Sequence, residues 1–576
     1  MKRIQQRQIS AACQAALPGH LHPVLRRVYA GRQVGSEQDL DHGLRCLLSP
    51  ESLKDIGVAV DLLEAALREQ QRILIVGDFD ADGATSSALM VAGLRAMGAA
   101  SVDFLVPNRF DFGYGLTPEI VAVAAERSPQ LLITVDNGIS SVAGVAAARA
   151  AGMRVLVTDH HLPGRELPAA DAIVNPNQPG DPFPSKHLAG VGVAFYVLMA
   201  LRARLRDSGW FRSRGLAEPN LAEFLDLVAL GTVADLVPLD RNNRVLVHQG
   251  IQRIRCGGGR PGIRALLEVA GRNPARLVAA DFGFAVGPRL NAAGRLDDMS
   301  LGIECLLCAE PESAREWAGQ LDALNRERRE IEAQMKTSAL QHLDAMQLPA
   351  DELPSGLCLY DPDWHQGVIG ILASRIKEQF DRPVIAFASA GDGTLKGSAR
   401  SVPGLHIRDA LDAIAVRHPE LLNKFGGHAM AAGLSLDETA LPAFRAAFAE
   451  ELDRRLERNG LQGVLYSDGE LSAQDLSLEL SEALRSAGPW GQEFPEPLFD
   501  GEFTLLRQRI VGGSHLKMTL RCADGDRPLD AIAFNQSDGQ ALREGQQLRL
   551  AYRLDSNEYR GMLGLQLVVD LIQVLE

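Results

Sequence analysis

The chain, 576 residues long, contains no apolar run of about 18 residues, the length a membrane-crossing helix needs. Its first residues, Met1-Lys2-Arg3-Ile4-Gln5-Gln6-Arg7, also lack the continuous apolar segment of a secretory signal. A soluble, cytoplasmic protein without a membrane partner is expected. Cysteine is scarce: seven are scattered along the chain, and the one close pair, Cys305-Leu306-Leu307-Cys308, has no second pair or histidine nearby at metal-ligand spacing. That pair reads as buried helix. A GxxxxGK[ST] phosphate loop is missing, which argues against an ATPase.

Hydrophobic residues make up 46% and charged residues 23%, near the average for folded domains, and the length suggests about three to four domains. Basic residues number 59 against 73 acidic ones, a net charge of −14. As a mean, that balance argues against coating of nucleic acid by bulk electrostatics, which depends on Lys and Arg neutralising phosphates. The charge is segregated, however. From Arg241 to Arg295 there are ten arginines, no lysine and two acids, and from Ile371 to Arg408 six basic residues stand against three acids. An acidic remainder is expected to repel nucleic acid everywhere except along a channel.

Residues 1–50 read as a helical, polar lead-in. From Arg72, short aliphatic runs (Ile73-Leu74-Ile75-Val76, Val102 to Val106, Leu131 to Val135, Val155-Leu156-Val157, Ile173-Val174) alternate with Ala-rich stretches of helical length. This βαβ pattern predicts an α/β fold on a mainly parallel, doubly wound sheet. With the helical region that follows, the first domain is expected over 51–300. The charged stretch Ala314 to Leu343 predicts a long connecting helix within 301–350. A second α/β domain is expected over 351–460. In 461–576, strand-like runs at Phe503–Leu506, Leu516–Leu520, Leu548–Tyr552 and Leu565–Val569 predict a small β-barrel of oligonucleotide-binding type.

Three acidic clusters follow predicted strands: Gly77-Asp78-Phe79-Asp80-Ala81-Asp82-Gly83, Asp136-Asn137-Gly138 and Asp159-His160-His161. Open α/β sheets bind ligands at the carboxyl ends of their strands, so these clusters should converge. Asp235, in Gly231-Thr232-Val233-Ala234-Asp235, is a fourth candidate. An EF-hand reading fails, because the twelfth position counted from Asp78 is Leu89 where a bidentate Glu is required. An aspartyl-phosphate phosphatase would not need the two downstream clusters. Turn and N-cap roles account readily for one such cluster but poorly for three aligned ones. Five or more carboxylates and two imidazoles repel one another unless cations lie among them, and this O/N donor set suits Mn²⁺ or Mg²⁺. With acids enough for two ions, hydrolysis of a phosphoester is the natural chemistry.

These four motifs resemble the ordered motifs of the DHH phosphoesterase superfamily, and Phe425-Gly426-Gly427-His428-Ala429-Met430-Ala431-Ala432-Gly433 resembles the glycine-rich signature of its associated domain. Gly287-Pro288-Arg289-Leu290-Asn291-Ala292-Ala293-Gly294-Arg295 and Val368-Ile369-Gly370-Ile371-Leu372-Ala373-Ser374-Arg375 are similar to segments of its bacterial exonucleases specific for single-stranded DNA. The resemblance covers nearly the whole chain. It implies 5′-to-3′ degradation of single-stranded DNA with Mn²⁺ or Mg²⁺, two ions in all, in recombination and repair. It also implies a monomer that works beside a single-strand-binding protein and a RecQ-type helicase. Carried over by position, Asp80, Asp82, Asp136, His160 and Asp235 are the metal ligands, with Asp136 bridging. Asp78, Asp159 and His161 are catalytic auxiliaries. Many members carry His where this chain has Val76, so one ion has a ligand fewer, a place that Asp78 or water could take.

For DNA, Arg109 and Tyr114 follow the second strand and offer a phosphate clamp and a stacking ring. Arg289, Asn291 and Arg295 lie in a Gly/Pro/Ala-rich segment where backbone can approach a ligand. Ser374, Arg375, Lys396, Ser398 and Arg400 supply hydroxyls and cations suited to a 5′-phosphate or the backbone beside it. Gly426, Gly427 and His428 could cradle another phosphate, and Lys517 is the barrel's best phosphate candidate. The strand is expected to thread between the two α/β domains. Two other readings are a superfamily phosphodiesterase for short oligonucleotides or cyclic dinucleotides, and a non-catalytic DNA-binding scaffold.

Overall fold

The structure, a computed structural model, describes residues 3–108, 112, 115–345, 354–391, 393–456, 463–536, 542–559 and 561–575. Two compact units form. One comprises Ile4–Asp322 and Tyr466–Glu576, the other chiefly Ala323–Leu465. Among the described residues, no helix is long and apolar enough to cross a membrane.

The first unit is built on five parallel strands, β1 (Ile73–Gly77), β2 (Val102–Leu105), β3 (Leu131–Val135), β4 (Arg154–Thr158) and β5 (Ala172–Val174), in the order β2-β1-β3-β4-β5. β1 and β3 are buried along their whole length, as unbroken aliphatic runs in a sheet covered on both faces should be. Between β1 and β2, helix α1 (Ala81–Ala96) is almost entirely buried and packs against α2 (Gly190–Asp207) and α3 (Leu225–Ala234). Its Ala-, Gly- and Ser-rich composition permits this close approach on every side. Helix α4 (Gly287–Leu296) follows a five-residue π-helical segment, Phe282–Val286. Helix α5, Pro311–Asp344, is 34 residues long and carries the chain from the first unit into the second.

The second unit is a mixed sheet of β6 (Leu357–Tyr360), β7 (Val384–Ser389), β8 (Thr394–Arg400), β9 (Lys424–Gly427) and β10 (Ala431–Asp437), ordered β9-β10-β8-β7-β6. Only β6 and β7 pair in parallel. One face is covered by an aromatic and aliphatic core that includes Phe387, Phe444 and Phe448. Helix α6 (Ile369–Phe380) packs on β7 and β8.

The C-terminal part of the first unit is a closed five-stranded barrel, β11 (Phe499–Val511), β12 (His515–Cys522), β13 (Pro528–Ala533), β14 (Gln547–Tyr559) and β15 (Met562–Val574), ordered β11-β12-β13-β15-β14. Strand β13 is short and begins at a proline. It closes the barrel by pairing in parallel with β15, a contact that no local pattern announces.

Two other expectations change. The lead-in is not wholly helical: Arg3–Gln6 is a strand, extended by pairing at a distance in which the Arg7 N–H donates to the Ser467 carbonyl at 2.8 Å. Nor is the arginine-rich stretch 241–295 an open basic surface. Arg276 meets Glu482 at 2.6 Å, Arg289 meets Asp322 at 2.9 Å, and Arg260 lies 3.5 Å from Asp226. Arg244 is buried with its guanidinium 4.3 Å from the centre of the Phe494 ring. Tertiary partners thus absorb much of the local positive excess.

Candidate metal centre and nucleic-acid interface

Each acidic cluster begins where a parallel strand ends. After β1, Asp80 serves as the N-cap of α1, its Oδ1 accepting from the N–H groups of Asp82 (2.9 Å) and Gly83 (3.0 Å). The capping role and a ligand role coexist here, because the cap occupies only one carboxylate oxygen. After β3, Asp136 takes a left-handed backbone, φ 61°, which Asp tolerates better than most residues. After β4, Asp159 accepts from the N–H groups of Ile139, His160 and His161 and from Nδ1 of His161 at 2.8 Å. It is engaged in fixing the two histidines. Asp235 ends α3, whose Gly231 lies so close to α1 that a Cβ there would stand 2.2 Å from Thr85 Oγ1 and 2.8 Å from Asp82 Oδ1. The glycine of this motif is what lets the fourth ligand approach the others.

The side chains converge as three overlapping groups, Asp82–His160–Asp235, Asp78–Asp80–Asp136 and Asp136–His160–His161, with the candidate ligand atoms of each group within 4.8 Å of one another. Asp82 and Asp136 are only 1% and 2% exposed. His160 tests whether a cation fits. Its Nε2 is shielded from solvent and makes no hydrogen bond, although it faces Asp136 Oδ1 at 3.1 Å, Asp235 Oδ2 at 3.5 Å and Asp82 Oδ2 at 4.0 Å. One imidazole nitrogen with three carboxylates within 4.0 Å of it is a donor set for Mn²⁺ or Mg²⁺, so the residues fit the ions. Asp78 is grouped with Asp80 and Asp136, and Val76 is buried within β1.

The electrostatics reflect this crowding. Burial, then the charge of Asp235, raises Asp82 to about 7. Burial, then Asp80, raises Asp235 to about 8, and burial with Asp82 and other acids raises Asp136 well above the usual range. Burial alone would also raise Asp159, but the His161 hydrogen bond and charge hold it at about 2. His161 is correspondingly raised to about 9 by Asp159, against the effect of burial.

Several supporting groups gave no sequence signal. The N-terminus of α2 donates the Gly190 and Val191 N–H groups to the two oxygens of Asp82, at 2.6 and 3.0 Å. Asn175 and Asn177 donate to the carbonyls of His161 (2.9 Å) and His160 (2.6 Å), and Asn137 donates to the carbonyls of Val76 and Val135. Apart from the bond of Asn137 to Val135, these are contacts between separate segments, invisible to spacing within any one of them.

Of the residues expected at DNA, Arg109 and Tyr114 lie outside the described residues. The Gly/Pro/Ala-rich segment that carries Arg289, Asn291 and Arg295 forms a regular helix, α4. Arg289 is buried, its guanidinium engaged by Asp322 and by the Ala285 carbonyl at 2.6 Å. Asn291 faces the metal loop, and Arg295 is half-buried. In the second unit Lys396, Ser398 and Arg400 alternate on the face of β8 opposite the core, Lys396 exposed and Ser398 and Arg400 half-buried beside Gly370 of α6, while Leu395, Gly397 and Ala399 point into the core. Gly426 of β9, Gly433 of β10 and Ser398 stand in register across three strands, a row with little side-chain bulk. Arg400 donates to Ser374 Oγ at 3.2 Å, Ser398 Oγ at 3.0 Å and the Ala399 carbonyl at 2.8 Å. Among the described residues it has no carboxylate partner, and burial lowers its pKa. Arg375, by contrast, is taken up by Glu332 and Glu378. Gly427 and His428 enter the exposed turn between β9 and β10, and Lys517 lies 3.4 Å from Asp530.

Comparison with known proteins bears on the whole chain. Residues 72–232 match the N-terminal domain of the DHH family, residues 354–454 the DHHA1 domain, and residues 467–570 the RecJ OB domain. The single-stranded-DNA-specific exonuclease RecJ of Dickeya dadantii is 58% identical over 574 residues, 99% of each chain. That of Escherichia coli is 56% identical over 570 residues, again 99% of each. The crystal structure of Thermus thermophilus RecJ in complex with Mn²⁺ is similar with a TM-score of 0.81 at 32% identity, covering 100% of this chain and 79% of that one. Its complex with Mg²⁺ gives a TM-score of 0.76 at 30% identity, covering 100% and 78%. With its strand-end acids, its barrel and these relatives along its full length, the chain belongs to the RecJ family of single-stranded-DNA-specific exonucleases.

Proposed function

We propose that the protein is a metal-dependent exonuclease that removes 5′-mononucleotides successively from the 5′ end of single-stranded DNA, in recombination and repair. The observation that carries the reading is His160 Nε2, shielded from solvent without a hydrogen bond and facing three carboxylates. Asp82, Asp136, His160 and Asp235 would hold one cation of the Mn²⁺ or Mg²⁺ type. Asp80 and Asp136, assisted by Asp78, would hold the other. Such cations would supply activation of water and stabilisation of the leaving oxygen. The chain's own residues supply orientation. Asp159 fixes the ring of His161 through Nδ1 and leaves Nε2–H to donate to a phosphate oxygen. On the second unit, Arg400 with Ser374 and Ser398 offers a charged donor and two hydroxyls to the 5′-phosphate, and the row through Gly426 and Gly433 admits backbone close to the sheet.

A 5′-labelled single strand with Mn²⁺ is expected to release labelled mononucleotide first, with duplex DNA resistant. Retention of the label to the end would reverse the polarity, and preferential turnover of dinucleotides or cyclic dinucleotides would make the protein a small-substrate phosphodiesterase. Absence of metal-dependent release would leave a DNA-binding scaffold. Arg400→Ala is expected to raise KM for a 5′-phosphorylated strand by roughly 10- to 100-fold, the value of a charge-assisted hydrogen bond of about 1.5–3 kcal/mol. KM for a 5′-hydroxyl strand should change far less; equal effects on both would detach Arg400 from the terminal phosphate. The same reading expects a cytoplasmic monomer acting beside a single-strand-binding protein and a RecQ-type helicase, which sedimentation and pull-down measure.

A further inference from the structure

Helix α4 carries the Asn291 and Arg289 expected at DNA, yet its nearest business is elsewhere. Asn291 Oδ1 accepts from the Ala81 N–H at 2.8 Å, across 210 positions of sequence. Ala81 opens α1, so its N–H has no partner within its own helix. Asp80 caps the next two N–H groups with Oδ1, and the asparagine takes the one that the cap leaves over. Three residues along α4, on the same face, a Cβ at Gly294 would lie 1.8 Å from the Phe79 carbonyl oxygen. Asn291 and Gly294 therefore hold the two peptide groups that flank Asp80, the Phe79 carbonyl on one side and the Ala81 N–H on the other.

We infer that Asn291 and Gly294 form a clamp that sets the direction of the Asp80 carboxylate, making Asn291 a positioning residue for the Asp78–Asp80–Asp136 cation site and not a DNA contact. The inference rests on the metal reading of that cluster. Outer-shell partners of metal ligands typically carry about 10- to 100-fold in affinity.

The test is Mn²⁺ titration of the metal-free full chain, followed by the electron paramagnetic resonance of unbound Mn²⁺, with nuclease kinetics in parallel. Asn291→Ala is expected to weaken one of two Mn²⁺ sites by roughly ten-fold or more and raise the Mn²⁺ needed for half-maximal rate equally, with KM for DNA unchanged. Asn291→Asp, which keeps the acceptor, should restore tight binding. Asn291→Gln, which keeps the amide but displaces it by one methylene, should repeat the weakening if the alanine variant fails to fold. Wild-type Mn²⁺ binding with a raised KM for DNA would overturn the clamp and return Asn291 to the DNA surface. Asp136→Ala separates the two levels of the argument. If it still binds two Mn²⁺ ions tightly, the metal reading has failed; if it loses them while Asn291→Ala does not, only the clamp has.

Discussion

Asp136→Ala is expected to lower Mn²⁺-dependent nucleotide release by about a thousand-fold or more. Asp136 shares one group with Asp78 and Asp80 and lies 3.1 Å from His160 in the other, so it is the carboxylate common to both halves of the centre. Its loss would take a candidate ligand from both groups at once. Metal stabilisation of a developing phosphoryl charge is worth several kcal/mol, and each 1.4 kcal/mol is about ten-fold in rate. The residue sits in a left-handed turn at φ 61°, which alanine tolerates less well than aspartate or asparagine. Asp136→Asn therefore serves as the companion variant, keeping the turn and the volume while removing the charge. Both should be inactive, with the asparagine variant melting close to wild type. Near-normal activity in Asp136→Asn would show that the acids are not the metal site.

Mn²⁺ affinity is expected to rise by roughly a hundred-fold between pH 6 and pH 8, because ligands must shed their protons before binding. Asp82 at about 7 and Asp235 at about 8 both hold protons at pH 6, which the ion must displace, whereas at pH 8 Asp82 is largely ionised and Asp235 is about half ionised. The metal-free protein should show the opposite trend in stability. Its folded carboxyls are raised above the value near 4 of an unfolded chain. Their contribution to stability is complete below that value and is lost as pH climbs through 7 and 8. The melting temperature without metal should therefore fall from pH 6 to pH 8, while the increment added by Mn²⁺ grows. Calorimetric titration in buffers of different ionisation enthalpy measures the released protons directly. An affinity flat across this range would mean that the carboxyls are already ionised before metal arrives.

Much of the centre is legible in the sequence for a geometric reason. Aliphatic runs that must be parallel strands place whatever follows them at one edge of a sheet, and three of those positions are occupied by Asp78 to Asp82, Asp136 and Asp159 to His161. Asp235 is legible only through its motif, since its approach depends on Gly231 meeting Thr85 in another helix. Strand β13 escaped because a proline-led, short segment becomes a strand only when β15 lies beside it.

What the sequence by itself determined is the donor set and the edge on which it gathers, because strand periodicity and chain direction are local properties. The tertiary structure decided which charges have work left to do. Arg289, Arg260 and Arg276 look alike in a run of basic residues, yet Asp322, Asp226 and Glu482 meet them from other parts of the fold, while Arg400 of β8 meets hydroxyls and a carbonyl and no carboxylate among the described residues. Charge pairing acts over a few ångströms of space, whatever the distance along the chain.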